Sequence, residues 1–389
     1  MPDGDARTVH EPRGVVGPIG RYARVVHPRS RTRPTPTLRD VAAAAQVSTA
    51  TAARALGGYG AVSPEVRQRV AAAAASIGYR RNSLARSMIT GTTHTIGLVV
   101  ADIENPFFAR AARGIADTAH AAGYEVLLAN SDEDVAKESA AVQTLSEKQV
   151  DGLIVAPAST TDRPFIHQLP ARGTPVVLFD RSLPGDGVDA VVVDNRDAVR
   201  RATEYLVSLG HRRIALLTTE SGIYTNQERM AGYAEGLAAA GIPPDDELIR
   251  RVPYDRDRAA DETEIVLGLA APATAIFATD NLMSLGAFEG AQQAGRRVPD
   301  DVSIIGFDDM DWTTIVRPQL TVVAQPVYEL GAAAARRLLE RIGGDDTPPR
   351  RTILETSFIV RDSTGPAEPA GRTAGHGRRG RRTPARSVS

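Results

Sequence analysis

The sequence predicts an all-α N-terminal unit followed by an α/β body of two lobes, each a parallel sheet with helices on both faces. Residues 37–90 show only short amphipathic helical segments, whereas from Thr95 onward short apolar runs alternate with amphipathic helices. This alternation is typical of parallel strands covered by helices. It extends to about residue 362, which is too long for one compact sheet, and therefore indicates two similar lobes.

Three helical segments are predicted within residues 37–81. Thr37 opens the first and forms a capping pair with Asp40, three residues later. Ser48 caps a second helix over residues 49–56, which ends at two glycines, and Ser63 followed by Pro64 begins a third. The body then supplies the apolar runs predicted as strands, at residues 96–100, 126–129, 153–156, 176–179, 191–193, 214–217, 275–278 and 303–307.

Composition restricts the class of protein. The 389 residues are 42% hydrophobic and contain no cysteine, which excludes a disulfide framework, a thiolate metal site and a cysteine nucleophile. No apolar stretch approaches the roughly 18 residues of a membrane span, and the arginine-rich first 36 residues lack the apolar segment of a signal peptide. We therefore expect a cytoplasmic protein with no membrane contact.

The net charge of −1 conceals an uneven distribution. Residues 1–36, 37–91 and 365–389 carry +4, +5 and +5, which leaves about −15 on residues 92–364. Basic flanks on an acidic body predict a nucleic-acid-binding end joined to a body that binds something else. Residues 1–36 and 363–389 lack a hydrophobic period and are predicted to be a disordered basic extension and tail. For the tail, a solvated segment and weak attraction to phosphates remain alternatives.

Two short helices joined by a tight turn, followed by a third, describe a basic helix-turn-helix. The second helix is then the one that enters the DNA major groove, with Thr49, Ala50 and Arg54 facing the base edges. A plain three-helix bundle is the alternative.

A family resemblance rests on eight motifs in order. The run from TLRDVAAAAQVSTATAARAL at residue 37 to TIGLVV at residue 100 closely resembles the N-terminus of lactose-repressor/galactose-repressor (LacI/GalR) family regulators. The match continues through NPFF (105–108), DGLIV (151–155), LGHRRIALL (209–217), ERMAGY (228–233), FATDNLMSLGA (277–287), SIIGFDD (303–309) and RPQLTVVAQP (317–326). The resemblance covers residues 37–362.

The resemblance implies a transcriptional regulator, in most family members a repressor, which binds a pseudo-palindromic operator in double-stranded DNA as a homodimer. It implies base contacts for Thr49, Ala50 and Arg54, and phosphate contacts for Thr37, Ser48, Thr51 and Asn82. Arginine can pair bidentately with guanine. Ala50 is shorter than the usual family side chain, so we expect an unusual operator at that position.

Residues 82–91 match the family's hinge, which folds into a helix on operator DNA and inserts a leucine into the minor groove. This chain has Met88 at the inserting position, and Ala85 one turn earlier in the same DNA-contacting segment. Methionine is apolar and able to act as a wedge between base steps. A plain linker is the alternative.

The body, residues 92–362, resembles periplasmic sugar-binding proteins, which implies two lobes, three crossovers and an effector in the cleft. Carboxylates and a guanidinium can each bridge neighbouring hydroxyls, so the implied effector is a small molecule of the sugar class. The residues that match family effector contacts, or that offer a stacking wall, are Phe107, Phe108, Asp180, Arg229, Thr279, Asp280 and Asp308. We expect Arg229 to follow a loop over residues 221–227.

Several of these residues have structural alternatives. Thr279 or Asp280 can instead cap a helix, and Phe107 and Phe108 can belong to the core. Trp312 is expected to pack at the cleft edge, and His211 to orient a loop.

An enzyme finds no support, because the sequence has no nucleophile elbow, phosphate-binding loop or HExxH motif. We set aside a metal site at Asp308, Asp309 and Asp311 for want of other ligands. A transport-type binding protein is disfavoured because it has no counterpart to residues 37–90. We therefore predict no catalytic residues, no cofactor and no metal.

Overall fold

The computed structural model describes residues 36–57, 60–79, 91–161, 163–185, 187–219 and 222–367. They belong to two compact units, a headpiece within residues 36–79 and a body within residues 91–367. Among these residues, no helix is long and apolar enough to cross a membrane.

The headpiece consists of helices α1 (Leu38–Ala44), α2 (Thr49–Gly57) and α3 (Pro64–Ser76). The capping box between Thr37 and Asp40 is present, and Ser63 caps α3 ahead of its proline. The three helices share a small core made mostly of alanine: Val41, Ala42, Ala45, Ala52, Ala55, Val70, Ala73 and Ala74. Because alanine side chains are short, three brief helices can approach closely enough to form a core.

The first lobe of the body contains one six-stranded parallel sheet. Its strands are β1 (Thr95–Val100), β2 (Glu125–Asn130), β3 (Gly152–Val155), β4 (Val176–Phe179), β5 (Asp189–Val193) and β11 (Arg351–Leu354). Its helices are α4 (Pro106–Ala121), α5 (Val135–Glu147), α6 (Pro164–Gln168) and α12 (Val327–Ile342). The strand order is β11-β5-β4-β3-β1-β2, which makes β2 an edge strand.

The second lobe repeats this design. Its strands are β6 (Ile214–Thr219), β7 (Ile249–Val252), β8 (Ala275–Ala278), β9 (Ser303–Phe307), β10 (Thr321–Ala324) and β12 (Ser357–Ile359), in the order β12-β10-β9-β8-β6-β7. Its helices are α7 (Asn195–Ser208), α8 (Tyr224–Ala239), α9 (Arg256–Gly268), α10 (Asn281–Gln293) and α11 (Asp311–Ile315). The predicted two-lobe α/β body is therefore confirmed.

The chain crosses between the lobes three times: from β5 to α7, from β10 to α12 and from β11 to β12. The third crossover explains the one exception to the predicted parallel sheets, the antiparallel pairing of β12 with β10. The chain leaves the carboxyl end of β11 on the cleft side of the first lobe. It then enters β12 on the cleft side of the second lobe. Because no helix intervenes to carry the chain to the far side, β12 runs against its neighbours.

All eight predicted strands are present, but β7, β10, β11 and β12 were not predicted. Three of these four lie at sheet edges, where a continuous apolar run is not required. The ordered body also continues beyond the predicted boundary at residue 362. Ser363 is fully buried and donates to the Ile304 carbonyl, and the backbone N–H of Ala367 donates to the Leu209 carbonyl.

Helix α4 packs very closely on α12. A Cβ atom built on Gly114 of α4 would lie only 2.1 Å from the carbonyl oxygen of Tyr328 on α12. Glycine at this position therefore allows the two backbones to touch.

We expect Gly114→Ala to destabilise the body by ~1–3 kcal/mol, because the added methyl group overpacks a backbone contact that cannot give way. Gly268→Ala is the matched control, since nothing lies within 4 Å of its Cβ position. Chemical unfolding of both variants tests this, and equal stability for the two would contradict the close packing.

Candidate DNA-reading helix and ligand cleft

The predicted base-reading residues lie together on the exposed side of α2. Thr49, Ala50 and Arg54 are all exposed, whereas Ala52 on the opposite side is fully buried. The Ser48 hydroxyl accepts a hydrogen bond from the Thr51 N–H (3.1 Å), which caps the helix as predicted. The N-terminal half of α2 thus presents an open surface.

The predicted phosphate contacts are only partly within the described residues. Thr37 is exposed at the start of α1, where its backbone N–H donates to the Asp40 carboxylate at 2.7 Å. Ser48 and Thr51 share a hydroxyl–hydroxyl bond of 2.8 Å at the start of α2. Asn82, Ala85 and Met88 lie outside the described residues.

A cleft of about 470 Å³ is lined by both lobes. All seven predicted effector-binding residues line it: Phe107, Phe108, Asp180, Arg229, Thr279, Asp280 and Asp308. The structure therefore brings together residues that are as far as 201 positions apart in sequence. The strands β4, β8 and β9 aim their carboxyl ends at the cleft, as expected for ligand sites in parallel sheets.

Asp180 and Asp308 occupy equivalent positions in the two lobes. Each follows a fully buried phenylalanine at the end of a strand, and each has a left-handed backbone, with φ of 64° and 73°. The Asp180 N–H donates to the Val191 carbonyl (2.9 Å), and the Asp308 N–H donates to the Val323 carbonyl (2.8 Å). Aspartate tolerates this conformation better than most residues, and the turn directs each carboxylate into the cleft.

Arg229 lies in the second turn of α8, not after a loop. The loop expected to extend to residue 227 is wrong, because α8 already begins at Tyr224. The Arg229 guanidinium donates to Asn195 Oδ1 (2.8 Å) and to the Thr279 carbonyl (2.5 Å), and its Cζ lies 3.6 Å from the centroid of the Phe307 ring. These contacts fix the guanidinium within the cleft wall.

Asp280 both caps a helix and lines the cleft. Its Oδ1 accepts from the Met283 N–H at 2.9 Å, so the capping alternative is correct for this residue. The Thr279 hydroxyl donates to Thr218 Oγ1 at 3.2 Å and is buried.

Burial of three carboxylates raises their pKa values. The pKa of Asp180 rises to about 6 because of desolvation, against the opposing attraction of Arg181 and Arg229. Desolvation also raises the pKa of Asp280 to about 6, against its bond to the Met283 N–H. The pKa of Asp308 is raised for the same reason, and Arg229 opposes the rise. Three acids thus line the cleft, and Arg229 is one of the cations that compensate them.

Arg181 and Glu133 form a second charged group that the sequence did not reveal. Two guanidinium nitrogens of Arg181 donate to the two carboxylate oxygens of Glu133, each at 2.6 Å. The Nε atom of Arg181 lies 3.3 Å from Asp180 Oδ2, which is an ion pair without hydrogen-bond geometry. The position of Arg181 could have indicated a place in the site, because Arg181 directly follows Asp180 at the end of a strand.

The aromatic residues combine core and cleft positions. Phe107 and Phe108 are buried in the first-lobe core, where Phe108 packs edge-on against Phe179 at 6.0 Å, and both also line the cleft. Trp312 packs half-buried on the second-lobe core and is not among the described residues that line the cleft.

His211 and Asp309 have structural partners. The buried His211 bonds through its ring nitrogens to Thr274, Ser303 and the Gly365 carbonyl, which fits the predicted loop-orienting role. Asp309 accepts from Arg361 at 2.8 Å. Within the described ranges, no group of three or more acidic or histidine side chains is placed to hold a metal ion.

Comparison with known proteins agrees with this architecture. Residues 93–362 match the family of periplasmic binding proteins and the sugar-binding domain of the LacI family. Residues 37–82 match the bacterial regulatory proteins of the lacI family. The chain belongs to the LacI family. It is thus a transcriptional regulator rather than an enzyme.

Individual LacI-family relatives are similar over most of the chain. Catabolite control protein A of Priestia megaterium is 37% identical over 84% of this chain and 99% of its own. The structure of the regulator CelR with cellobiose is 33% identical, with a TM-score of 0.64, over 84% of this chain and 99% of that one. The lac repressor dimer bound to operator and an anti-inducer is 27% identical, with a TM-score of 0.78, over 85% and 99%.

We expect Asp180→Asn to become increasingly more stable than the wild type as pH rises from about 4 to about 6. Between these pH values the folded state keeps a proton on Asp180 that the unfolded chain has lost, since the pKa of the unfolded group is near 3.8. Ionisation therefore stabilises the unfolded wild type, and the variant has no such group to ionise. The difference should reach on the order of 3 kcal/mol by pH 7. Thermal unfolding across this pH range measures it, and a pH-independent difference would contradict the assignment.

Proposed function

We propose that this regulator is a repressor that binds a pseudo-palindromic operator as a homodimer in the cytoplasm. A neutral effector of the sugar class, bound between the lobes, alters its operator affinity. The observation that carries this proposal is the cleft in which Asp180, Asp280 and Asp308 surround Arg229.

The chemistry of the cleft favours a polyol over an anion. Carboxylates accept and guanidinium groups donate pairs of hydrogen bonds, so together they match adjacent hydroxyl groups. Three aspartates and Glu133 outnumber Arg181 and Arg229, and would repel a phosphate. One similar structure is a cellobiose complex, and another LacI-family structure contains bound ribose.

Operator binding is assigned to the headpiece. The exposed α2 residues Thr49, Ala50 and Arg54 suit base reading, while Thr37, Ser48 and Thr51 suit phosphate contacts. Asn82 and Ala85 complete the proposed DNA contacts, and Met88 acts as the minor-groove wedge.

A homodimer is supported by an exposed apolar strand. Leu127 and Leu128 of the edge strand β2 are 40% and 43% exposed. Because successive strand residues point to opposite faces, both faces of this sheet edge are open. An open apolar edge is typical of a surface that pairs with another chain. A two-fold dimer matches the symmetry of a palindromic operator.

We expect Arg54→Ala to weaken binding to a specific site by ~1–3 kcal/mol, with a much smaller loss on random DNA, because bidentate base contacts carry the specificity. Arg67→Ala, an exposed change of the same charge on α3, is the control. Fluorescence anisotropy on a site selected from a random DNA pool measures both. Equal losses on the two DNAs would show that Arg54 contacts only phosphate.

We expect Arg229→Ala to abolish the effector response while operator binding without effector stays near wild type. The response is the change in operator affinity on adding neutral mono- and disaccharides. Arg229→Lys should also lose most of the response, because it keeps the charge but not the planar pair of donors. Arg196→Ala, an exposed change at the Glu235 ion pair, should respond as wild type. If a folded Arg229→Ala protein still responds fully to the sugars, Arg229 is not part of the effector site.

A further inference from the structure

Three polar side chains form a closed hydrogen-bond ring across the cleft. Asn105 Nδ2 donates to the Tyr254 hydroxyl at 2.7 Å, and that hydroxyl donates to Asn281 Oδ1 at 3.1 Å. Asn281 Nδ2 then donates to Asn105 Oδ1 at 2.9 Å, which closes the ring. Each side chain is therefore both a donor and an acceptor.

The backbone fixes the direction of the ring. Asn105 caps α4, and its Oδ1 accepts from the Phe107 N–H at 2.9 Å. A backbone N–H can only donate, so this contact settles which end of the Asn105 amide carries the oxygen. The amide nitrogen must then face Tyr254. Burial raises the pKa of the Tyr254 hydroxyl, which keeps its proton available for Asn281.

The ring joins the two lobes. Asn105 belongs to the loop between β1 and α4 in the first lobe. Tyr254 lies between β7 and α9, and Asn281 is the first residue of α10, both in the second lobe. The ring can therefore exist only when the lobes are close together. It also adjoins the acidic cleft, because Asn281 follows Asp280 and its Nδ2 lies 3.5 Å from Asp308 Oδ2.

We propose that Asn105, Tyr254 and Asn281 are positioning residues that hold the lobes closed over the cleft. Asn105 and Tyr254 also line the cleft, so the ring that joins the lobes borders the space in which an effector would bind. If the cleft binds an effector, as proposed above, the ring also sets how strongly that effector favours closure.

The ring is not the sole contact between the lobes. The Thr160 N–H donates to the Gly222 carbonyl at 2.7 Å, and the Gln227 amide donates to Thr160 Oγ1 at 3.2 Å. Breaking the ring should therefore shift the equilibrium between closed and open lobes without abolishing closure. The loss of one network of neutral hydrogen bonds should change the equilibrium constant between closed and open lobes by about threefold to tenfold.

Pulsed electron paramagnetic resonance on the full chain tests the proposal. The chain has no cysteine, so Ala140→Cys in α5 and Glu264→Cys in α9, both exposed, place one spin label on each lobe. Dilution with unlabelled chain restricts the measured pairs to single molecules. In this background, Tyr254→Phe removes only the hydroxyl, and Asn105→Ser keeps a cap for α4 but cannot reach Tyr254.

We expect Tyr254→Phe, which leaves the bond from Asn281 to Asn105, to increase the long-distance population by about threefold. Asn105→Ser removes both bonds between the lobes and should increase that population further, up to about tenfold, and the double variant should match Asn105→Ser. Tyr328→Phe, which removes a hydroxyl bond to Asp117 within the first lobe, should match the wild type. Distances in Tyr254→Phe and Asn105→Ser that are unchanged from wild type would overturn the proposal, and so would effects that multiply in the double variant. The readout needs no ligand or DNA, so it is independent of the proposed function.

Discussion

The cost of burying charge at the meeting point of the two lobes organises this structure. Asp180 and Asp308 are each at least nine-tenths buried beside Arg229, and Asp280 is partly buried. A buried charge is expensive unless it is paired and hydrogen-bonded. Each of these side chains accordingly has a fixed partner within hydrogen-bond or ion-pair distance. The part of the desolvation cost that these partners do not offset raises the pKa values of the three acids. A ligand that hydrogen-bonds to the acids would reduce this cost.

The fold supplies this cluster by repetition. Both lobes place a buried phenylalanine and then a left-handed aspartate at the end of an interior strand, Asp180 in one lobe and Asp308 in the other. Because three crossovers connect the cleft-facing ends of the sheets, the two aspartates face one cavity. Any movement of one lobe against the other changes the distance between these charges. This links the chemistry of the cleft to the arrangement of the lobes, and hence to the DNA-binding end of a dimer.

The sequence predicted those features that depend on local pattern. Asp180, Thr279, Asp280 and Asp308 were expected as effector contacts from the family resemblance. They also come at or just after the ends of short apolar runs, and parallel strands aim such positions at one edge. The headpiece helices were found from their caps. Edge strands such as β7, whose residues Ile249–Val252 include two arginines, carry no continuous apolar signal and were missed.

Other parts of the site depend on tertiary approach and have no local signature. Asn105, Glu133 and Tyr254 lie in loops and before helices, and only the approach of distant segments makes them neighbours. The helix containing Arg229 was misplaced because the preceding residues, SGIYTNQ, resemble a polar loop, although α8 begins within them.

The most direct test of the central claim is a thermal-shift titration of the full-length protein with neutral sugars and their phosphorylated counterparts. The acidic cleft predicts that a neutral mono- or disaccharide raises the unfolding temperature in a saturable way, and that its phosphate ester does so far less. Stabilisation by a phosphorylated sugar equal to or greater than that by its neutral form would contradict the account.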